Sequence, residues 1–207
     1  MSAQKNLGKA LAIAAAALSL TGCVSLFPKA DPAQLYRFEV SSPAAASSSA
    51  TRFTVLRAPI TFARAAAGDG ILTVTSGEAA YIGGARWVSP ASVLFDEAAT
   101  RAFQDAGGPA RLIGRGEIAR SDAYLKLDVR TFETRYDQGA KAAPIVVIEV
   151  NATLTRNNQA LVGTKTFTAS ARAGDNRVGP IVQAYDKAVS DVLGQLVGWV
   201  NTSGVTP

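Results

Sequence analysis

The single cysteine of this 207-residue chain, Cys23, is the feature that most constrains its folding. It follows a start that contains Lys5 and Lys9, an apolar run from Leu11 to Leu20, and a small, turn-prone stretch that ends at Gly22. These are the three parts of an export signal. An exported chain with one cysteine cannot form an internal disulfide, so a packed core alone must hold its domain together.

The segment around the cysteine favours lipidation over membrane spanning. Only 13 residues lie from Ala10 to Gly22, whereas a helix needs about 20 to cross a bilayer. Leu20-Thr21-Gly22-Cys23 resembles a bacterial lipobox, in which a small residue precedes a thiol that receives a diacylglyceryl group. We predict a lipoprotein signal peptide over residues 1–22 and a lipid anchor at Cys23, which holds stably because it carries at least two acyl chains. The alternative is an ordinary secretory signal with an incidental cysteine.

The residues after the cysteine predict where the protein resides. In lipoproteins of this type an Asp after the cysteine commonly marks inner-membrane retention, and here that residue is Val24. The resemblance therefore implies a protein that is lipid-anchored in the outer membrane and faces the periplasm of a Gram-negative bacterium. Residues 23–33 contain two prolines and suit an extended, lipidated tether. Residues 34–202 then form a single periplasmic domain.

The composition argues against catalysis and against nucleic-acid binding. The chain has no histidine, which removes the commonest general base and the commonest neutral metal ligand. Lipidation consumes the only thiol, and the carboxylates are scattered along the sequence. Loss of residues 1–22 lowers the formal net charge from +5 to +3, and lysine and arginine do not cluster with aromatic residues. We therefore predict no catalytic residue, no metal site, no cofactor and no nucleic-acid partner.

Alternation of apolar and polar side chains predicts several strands. The clearest is Ala123 to Thr131, where apolar residues occupy every second position, and Pro144 to Thr155 has the same pattern. A Thr-rich segment from Ala160 to Ala171 follows a turn and completes an antiparallel meander. Further strands are predicted over Gln34 to Val40, Arg52 to Ile60, Ile71 to Thr75 and Ala79 to Ile82, with a loop at 41–51.

Two apolar stripes at helical spacing predict two helices. The first starts at Ser89-Pro90, with serine as the N-cap and proline as the first helical residue, and stops at Gly107-Gly108. The second runs from about Pro180 to Val200. Each apolar stripe is expected to be buried against a sheet. The prediction is an α+β fold in which a mostly antiparallel sheet of about six strands carries two helices on one face.

A series of motifs follows one another along nearly the whole mature chain. After the lipobox come Leu35-Tyr36-Arg37-Phe38, Arg86-Trp87 with Pro90 and a helix behind it, Leu127-Asp128-Val129 leading to Phe132-Glu133, a strand with Phe167, and a helix that ends at Trp199. In this order they resemble the ABC-type transport auxiliary lipoproteins, of the PqiC kind that belongs to Mce-type lipid transport systems. The loop at 41–51 and the Gly-rich segment at Gly83-Gly84 depart from that pattern.

The resemblance implies a non-catalytic outer-membrane subunit that docks an Mce-domain protein and assists phospholipid transport between membranes. Its partners are then the Mce-domain protein, the membrane through the lipid anchor, and phospholipid. The resemblance leaves open whether the protein forms a homo-oligomer. The alternative is a structural lipoprotein that supports cell-envelope assembly or maintenance without a transport role. An enzyme with an unusual Ser/Asp site ranks last.

Four residues are predicted to bind a partner. Tyr81 and Ile82 lie beside two glycines, where they form an exposed apolar edge. Arg86 and Trp87 precede the first helix, and the family resemblance marks them as a further contact. Their alternative role is packing, in which the tryptophan covers the start of the helix and the arginine caps a neighbouring carbonyl.

Overall fold

The computed structural model describes residues 32–41, 52–114 and 116–204. The predicted signal peptide, the anchor at Cys23 and nearly all of the tether lie outside the described residues, as does most of the loop at 41–51. In chain order the elements are β1 (Gln34–Tyr36), β2 (Phe53–Arg57), β3 (Thr61–Phe62), β4 (Gly70–Thr75), β5 (Glu78–Trp87), α1 (Ala91–Asp105), β6 (Ala110–Leu112), β7 (Ala123–Arg135), β8 (Ile145–Arg156), β9 (Leu161–Arg172) and α2 (Val178–Ser203).

The sheet is assembled on β7. Along one edge this strand pairs antiparallel with β8, which in turn pairs antiparallel with β9. Along the other edge β2, β3 and β4 join it one after another, all in the parallel direction. β2 then pairs with β6, while β4 pairs with β5, which pairs with β1.

The predicted α+β class is confirmed, but the sheet is larger and more mixed than predicted. It has nine strands in the described part of the chain, against about six. Its long antiparallel ladders are joined by short parallel ones. β3 and β6 have only two and three residues, which is too short for alternation to reveal them. They become strands because β7 and β2 offer edges with which they can pair.

A register shift lets β7 keep one buried face over its whole length. Val129 and Phe132 are both buried although three positions separate them, because the register shifts between Val129 and Thr131. The additional residue forms a β-bulge, after which the alternation resumes on the same face. The strand therefore continues to Arg135 instead of ending at Thr131.

Both helices lie on the same face of the sheet. The ring of Phe132 on β7 lies 6.2 Å from that of Phe95 on α1 and 4.9 Å from that of Tyr185 on α2, measured between centroids. The core thus lies between this face and the helices, as predicted. Among the described residues, neither helix combines the length and the apolar character that crossing a membrane requires.

The start of α1 differs from the prediction. Pro90, not Ser89, occupies the N-cap position, and its side chain caps nothing. Instead the backbone N–H of Ala91 donates to the carbonyl oxygen of Gly68 at 2.8 Å. The helix start is therefore bonded to the loop between β3 and β4.

The domain has two ends along β7. β4 meets β7 at Thr134, and β2 meets it at Ala123. At about 3.3 Å per residue these points are roughly 36 Å apart. We call the end with β1, β4 and β5 the tether end, because the predicted tether joins β1. The opposite end, with the loop between β6 and β7, is the loop end.

Candidate functional site: a cleft at the tether end

The site begins with a large irregularity in β5. Leu72 of β4 pairs with Tyr81, but Gly70 pairs with Arg86, so four residues of β5 lie opposite a single residue of β4. Gly84, within these four, has a φ of +68°, which side chains other than glycine rarely tolerate. The Gly83-Gly84 pair therefore allows the strand to bulge outward before it rejoins β4 and β1.

A cleft of about 400 Å³ lies between this bulge and the loop that joins β3 to β4. It is lined by Arg64, Ala65, Gly68, Asp69, Gly70, Tyr81, Ile82, Gly83, Gly84, Ala85 and Arg86. Three of the four predicted partner-binding residues are in this set. The structure thus brings Tyr81, Ile82 and Arg86 together around one opening.

Tyr81 connects the two walls of the cleft. Its hydroxyl donates to the carbonyl oxygen of Ala65 at 2.8 Å, and its side chain is nevertheless 56% exposed. The ring also covers Gly70, where an added Cβ would lie 2.6 Å from the Cδ1 atom of Tyr81. A side chain larger than that of glycine would therefore displace this ring.

The charged groups of the cleft are two arginines and one aspartate. Arg86 Nη1 lies 2.9 Å from Asp69 Oδ1, and both side chains are about half exposed, so this pair adds little stability. Arg64 lines the cleft, and its side chain has no hydrogen bond or ion pair to any residue that the structure describes. Its guanidinium is therefore available to a ligand.

Trp87, the fourth predicted residue, belongs to the core and not to the cleft. Its side chain is 2% exposed. It makes edge-on ring contacts with Phe38 at 5.4 Å and with Tyr185 at 5.0 Å. The packing alternative therefore describes its position, and partner binding stays a prediction for Tyr81, Ile82 and Arg86.

A buried polar pair lies beside this tryptophan. Thr134 Oγ1 donates to the hydroxyl of Tyr185 at 3.2 Å, and both residues are fully buried. Burial raises the pKa of the Tyr185 hydroxyl well above its ordinary value, so it stays protonated. The pair holds α2 to the end of β7.

The segment after β1 is also fixed to α2. The Glu39 N–H donates to Asp186 Oδ1 at 2.7 Å, and the Ser41 N–H donates to Ser190 Oγ at 3.1 Å. Burial raises the pKa of the Asp186 carboxyl. The strand that receives the tether is thus bonded on both sides, to β5 and through these contacts to α2.

Several of the other carboxylates form ion pairs with arginines at the surface. Asp137 forms a bidentate pair with Arg172 at 2.6 and 3.0 Å, which lowers the pKa of Asp137. Glu133 pairs with Arg135 at 2.7 Å. In the part of the chain with described coordinates, no group of three metal-binding side chains comes together. The arrangement suits binding at a surface cleft.

Sequence reasoning missed the contribution of the loop between β3 and β4. Gly68-Asp69-Gly70 indicates a turn, but nothing local shows that this turn faces the Gly83-Gly84 bulge. Arg64 has no neighbouring signal at all. Only the pairing of β4 with β5 brings these residues to the same opening.

The fold and the cleft define a class: an α+β domain with an open cleft at its surface. The family model of the ABC-type transport auxiliary lipoprotein component matches residues 36–197. The chain therefore belongs to this family, and the resemblance found from its motifs is confirmed. No curated protein sequence matches the chain.

Several solved structures are similar to this one. Protein XCC0632 from Xanthomonas campestris, of the DUF330 family, has 29% identity and a TM-score of 0.73, and the match covers 83% of this chain and 96% of that one. An uncharacterized protein has 14% identity and a TM-score of 0.65, with 82% and 99% covered. Protein CT253 from Chlamydia trachomatis has 10% identity and a TM-score of 0.50, with 73% and 99% covered. The last two show the fold alone.

Proposed function

We propose that the chain is a non-catalytic outer-membrane lipoprotein subunit of an Mce-type ABC transport system. In this role it docks the Mce-domain protein and assists phospholipid transport between the two membranes. The family assignment makes it an auxiliary lipoprotein of ABC-type transport. The Mce partner, the phospholipid cargo and the outer-membrane location are the proposal.

The extent of the family match is the observation that supports this proposal most. It runs from Tyr36 in β1 to Val197 in α2. Every strand from β2 to β9 lies within it, so the whole domain corresponds to the auxiliary component.

The predicted anchor also fits a role beside a transporter. Lipidation at Cys23 restricts the domain to one membrane face and raises its effective concentration near a partner that approaches from the other side. Val24 after the anchor supports the outer membrane. The absence of histidine and the scattered carboxylates support a role in binding instead of catalysis.

Site-specific crosslinking tests the docking role. A photo-crosslinking amino acid replaces Tyr81 at the tether end or, separately, Tyr124 at the loop end, in the lipidated full-length protein expressed with its genomic neighbours. Both tyrosines are exposed, at 56% and 41%, so they sample opposite ends with a matched side chain. We expect one of the two positions to capture an Mce-domain protein.

The controls separate docking from chance collisions. A crosslinker at Thr166, exposed on the strand face away from the core, should give a weaker product. Lack of an Mce-domain protein in every crosslinked product, together with its absence after co-purification, contradicts the proposal. The structural envelope role is then the better explanation.

A further inference from the structure

We propose that the tether end rests on the phospholipid headgroups of the membrane that holds the anchor. Leu35, Tyr81 and Val88 meet the interfacial region, and Arg64 and Arg86 meet lipid phosphates. The inference rests on the lipid anchor of the proposed function. It assigns a lipid surface to Tyr81 and Arg86, two of the residues that the sequence predicts as partner contacts.

Exposed apolar side chains converge at this end. Leu35 is 60% exposed, Tyr81 56% and Val88 42%. Leu35 pairs with Arg86 across β1 and β5, and the N–H of Val88 donates to the carbonyl oxygen of Tyr36 at 2.7 Å. The three residues therefore lie on β1, on β5 and directly after the end of β5. Tyrosine is a side chain that membrane interfaces favour, since its ring is apolar and its hydroxyl polar.

The charge of the cleft matches a phosphate-bearing surface. The Arg64 side chain has no hydrogen-bond or ion-pair partner among the residues that the structure describes, and the Arg86 side chain shares only the half-exposed pair with Asp69. Two guanidinium groups against one carboxylate leave the opening positive. A guanidinium binds phosphate through paired N–H donors, and it does so next to apolar groups because it is weakly hydrated.

The length of the tether sets which end can reach the membrane. Eleven positions separate Cys23 from Gln34, so the tether spans at most about 40 Å when fully extended. The tether end can touch the membrane without extension of the tether. The loop end lies roughly 36 Å farther along β7, so it reaches the membrane only when the tether is almost fully stretched. Such stretching is opposed by chain entropy.

The tether end is also rigid enough to act as a fixed surface. β1 is bonded to β5 on one side, and the segment behind it is bonded to Asp186 and Ser190 of α2. Tyr81 is held by Ala65. Because the backbone of β1 and the Tyr81 ring do not have to be ordered on contact, their part in binding a lipid surface costs little conformational entropy.

A fluorescent label tests which end meets the lipid. Lipidation consumes Cys23, so Leu35→Cys and Ile118→Cys each introduce a single reactive thiol, one per end. The lipidated full-length variants are labelled and reconstituted into vesicles of phosphatidylethanolamine with a minority of phosphatidylglycerol. A headgroup-attached spin label then quenches the fluorophore at short range. We expect quenching several-fold stronger at position 35 than at position 118; equal quenching, or the reverse order, overturns the inference.

A charge reversal tests the arginines. We expect Arg64→Glu to reduce the quenching at position 35 at least twofold, while Arg120→Glu, an exposed arginine at the loop end, leaves it unchanged. Thermal unfolding of both variants checks that the fold is retained. If Arg64→Glu and Arg120→Glu act alike, the phosphate contact is wrong.

Flotation and mass measurement separate this inference from the proposed function. If the unlabelled protein neither floats with vesicles nor carries a lipid mass, the anchor is wrong and both proposals fail. If it floats but position 35 is not quenched, only the present inference fails. Capture of an Mce-domain protein at position 81 without quenching at position 35 likewise overturns it, since the cleft is then a protein contact.

Discussion

The tether end and the loop end both expose large apolar side chains. At the tether end these side chains lie next to a packed aromatic cluster, whereas at the loop end they lie on a loop that is held by a surface ion pair. At the tether end Tyr81 belongs to a strand whose residue Trp87 is buried against Phe38 and Tyr185. At the loop end Ile118 is fully exposed. The loop that carries Ile118 is closed by a bidentate ion pair between Arg111 and Glu117 at 2.8 and 3.0 Å.

This difference shows that exposure alone does not describe a surface. A side chain on a strand above a packed aromatic cluster keeps its position, because moving it disturbs the core. A side chain on a loop held by surface charges is free to adjust, since such pairs contribute little. The stability of the domain should therefore decrease from the tether end to the loop end.

The largest expected effect is from removing the tryptophan under the tether end. Trp87→Ala should lower the free energy of unfolding by about 4 kcal/mol, since it opens a cavity in a closely packed core. Ile118→Ala at the loop end should change it by less than about 0.5 kcal/mol. Urea unfolding followed by tryptophan fluorescence measures both, from Trp199 alone in Trp87→Ala and from Trp87 and Trp199 in Ile118→Ala. Similar losses in the two variants would contradict the comparison.

A second test compares two ion pairs of different burial. Arg57 on β2 meets Asp96 on α1 at 2.5 Å, with side chains 12% and 20% exposed. Asp96→Ala leaves the guanidinium buried and should cost about 3 kcal/mol. Asp69→Ala removes the half-exposed pair at the cleft and should cost about 0.5 kcal/mol or less. Chemical denaturation of both variants checks this order. The order would be wrong if Asp69→Ala lowered the free energy of unfolding as much as Asp96→Ala.

The buried pair of Thr134 and Tyr185 should have an intermediate effect. Tyr185→Phe leaves the Thr134 hydroxyl without its partner in the core, at a cost of about 1 to 2 kcal/mol. Adding Thr134→Val removes the second polar group as well. The double variant should therefore lose less stability than the two single losses combined, measured by thermal unfolding. Simple additivity would show that the hydroxyls do not interact.

Two glycines of the cleft should respond differently to alanine. Gly70→Ala places a Cβ against the Tyr81 ring and should cost about 1 kcal/mol while displacing that ring. Gly83→Ala meets no atom within 4 Å and should be neutral or slightly stabilising. Unfolding measurements, with NMR shifts of the Tyr81 ring, test this. A displaced ring in both variants would argue that the whole bulge is mobile.

The smallest effect concerns acid at the loop end. The Arg111 hydrogen bond and the Gly114 N–H lower the pKa of Glu117 to about 2, from an ordinary 4.5. The carboxylate therefore supports the loop fully above pH 4.5, and the support is lost as the pH falls through about 2. The amide chemical shift of Gly114 should follow this titration. In Glu117→Gln the same chemical shift should no longer change over this pH range. A midpoint at the ordinary value would mean that the loop is not closed in solution.

The long elements of the fold were predictable because their signals are local. In β8, alternate positions are buried along the strand, and the two helical stripes contain most of the residues that α1 and α2 bury. The short strands β3 and β6 were not predictable. They have no pattern of their own and exist because an edge is available to them.

The candidate site was predictable only on one of its walls. The adjacent glycines at 83 and 84 indicated an irregular strand, and this placed Tyr81, Ile82 and Arg86 near an exposed edge. The opposite wall, with Arg64 and Asp69, carries no comparable signal. These residues are more than ten positions away in the chain, and a contact at that separation depends on how β4 pairs with β5.

The sequence by itself determined that this is an α+β domain with two amphipathic helices and long strands, and it indicated the family. Periodicity decides these features, because burial of one face repeats with the local geometry of the chain. Only the tertiary structure decided that Trp87 packs in the core while Tyr81, six residues earlier, lines a cleft. The reason is that the bulge between them changes which side of β5 faces the helices, and the register with β4 and β1 sets that bulge.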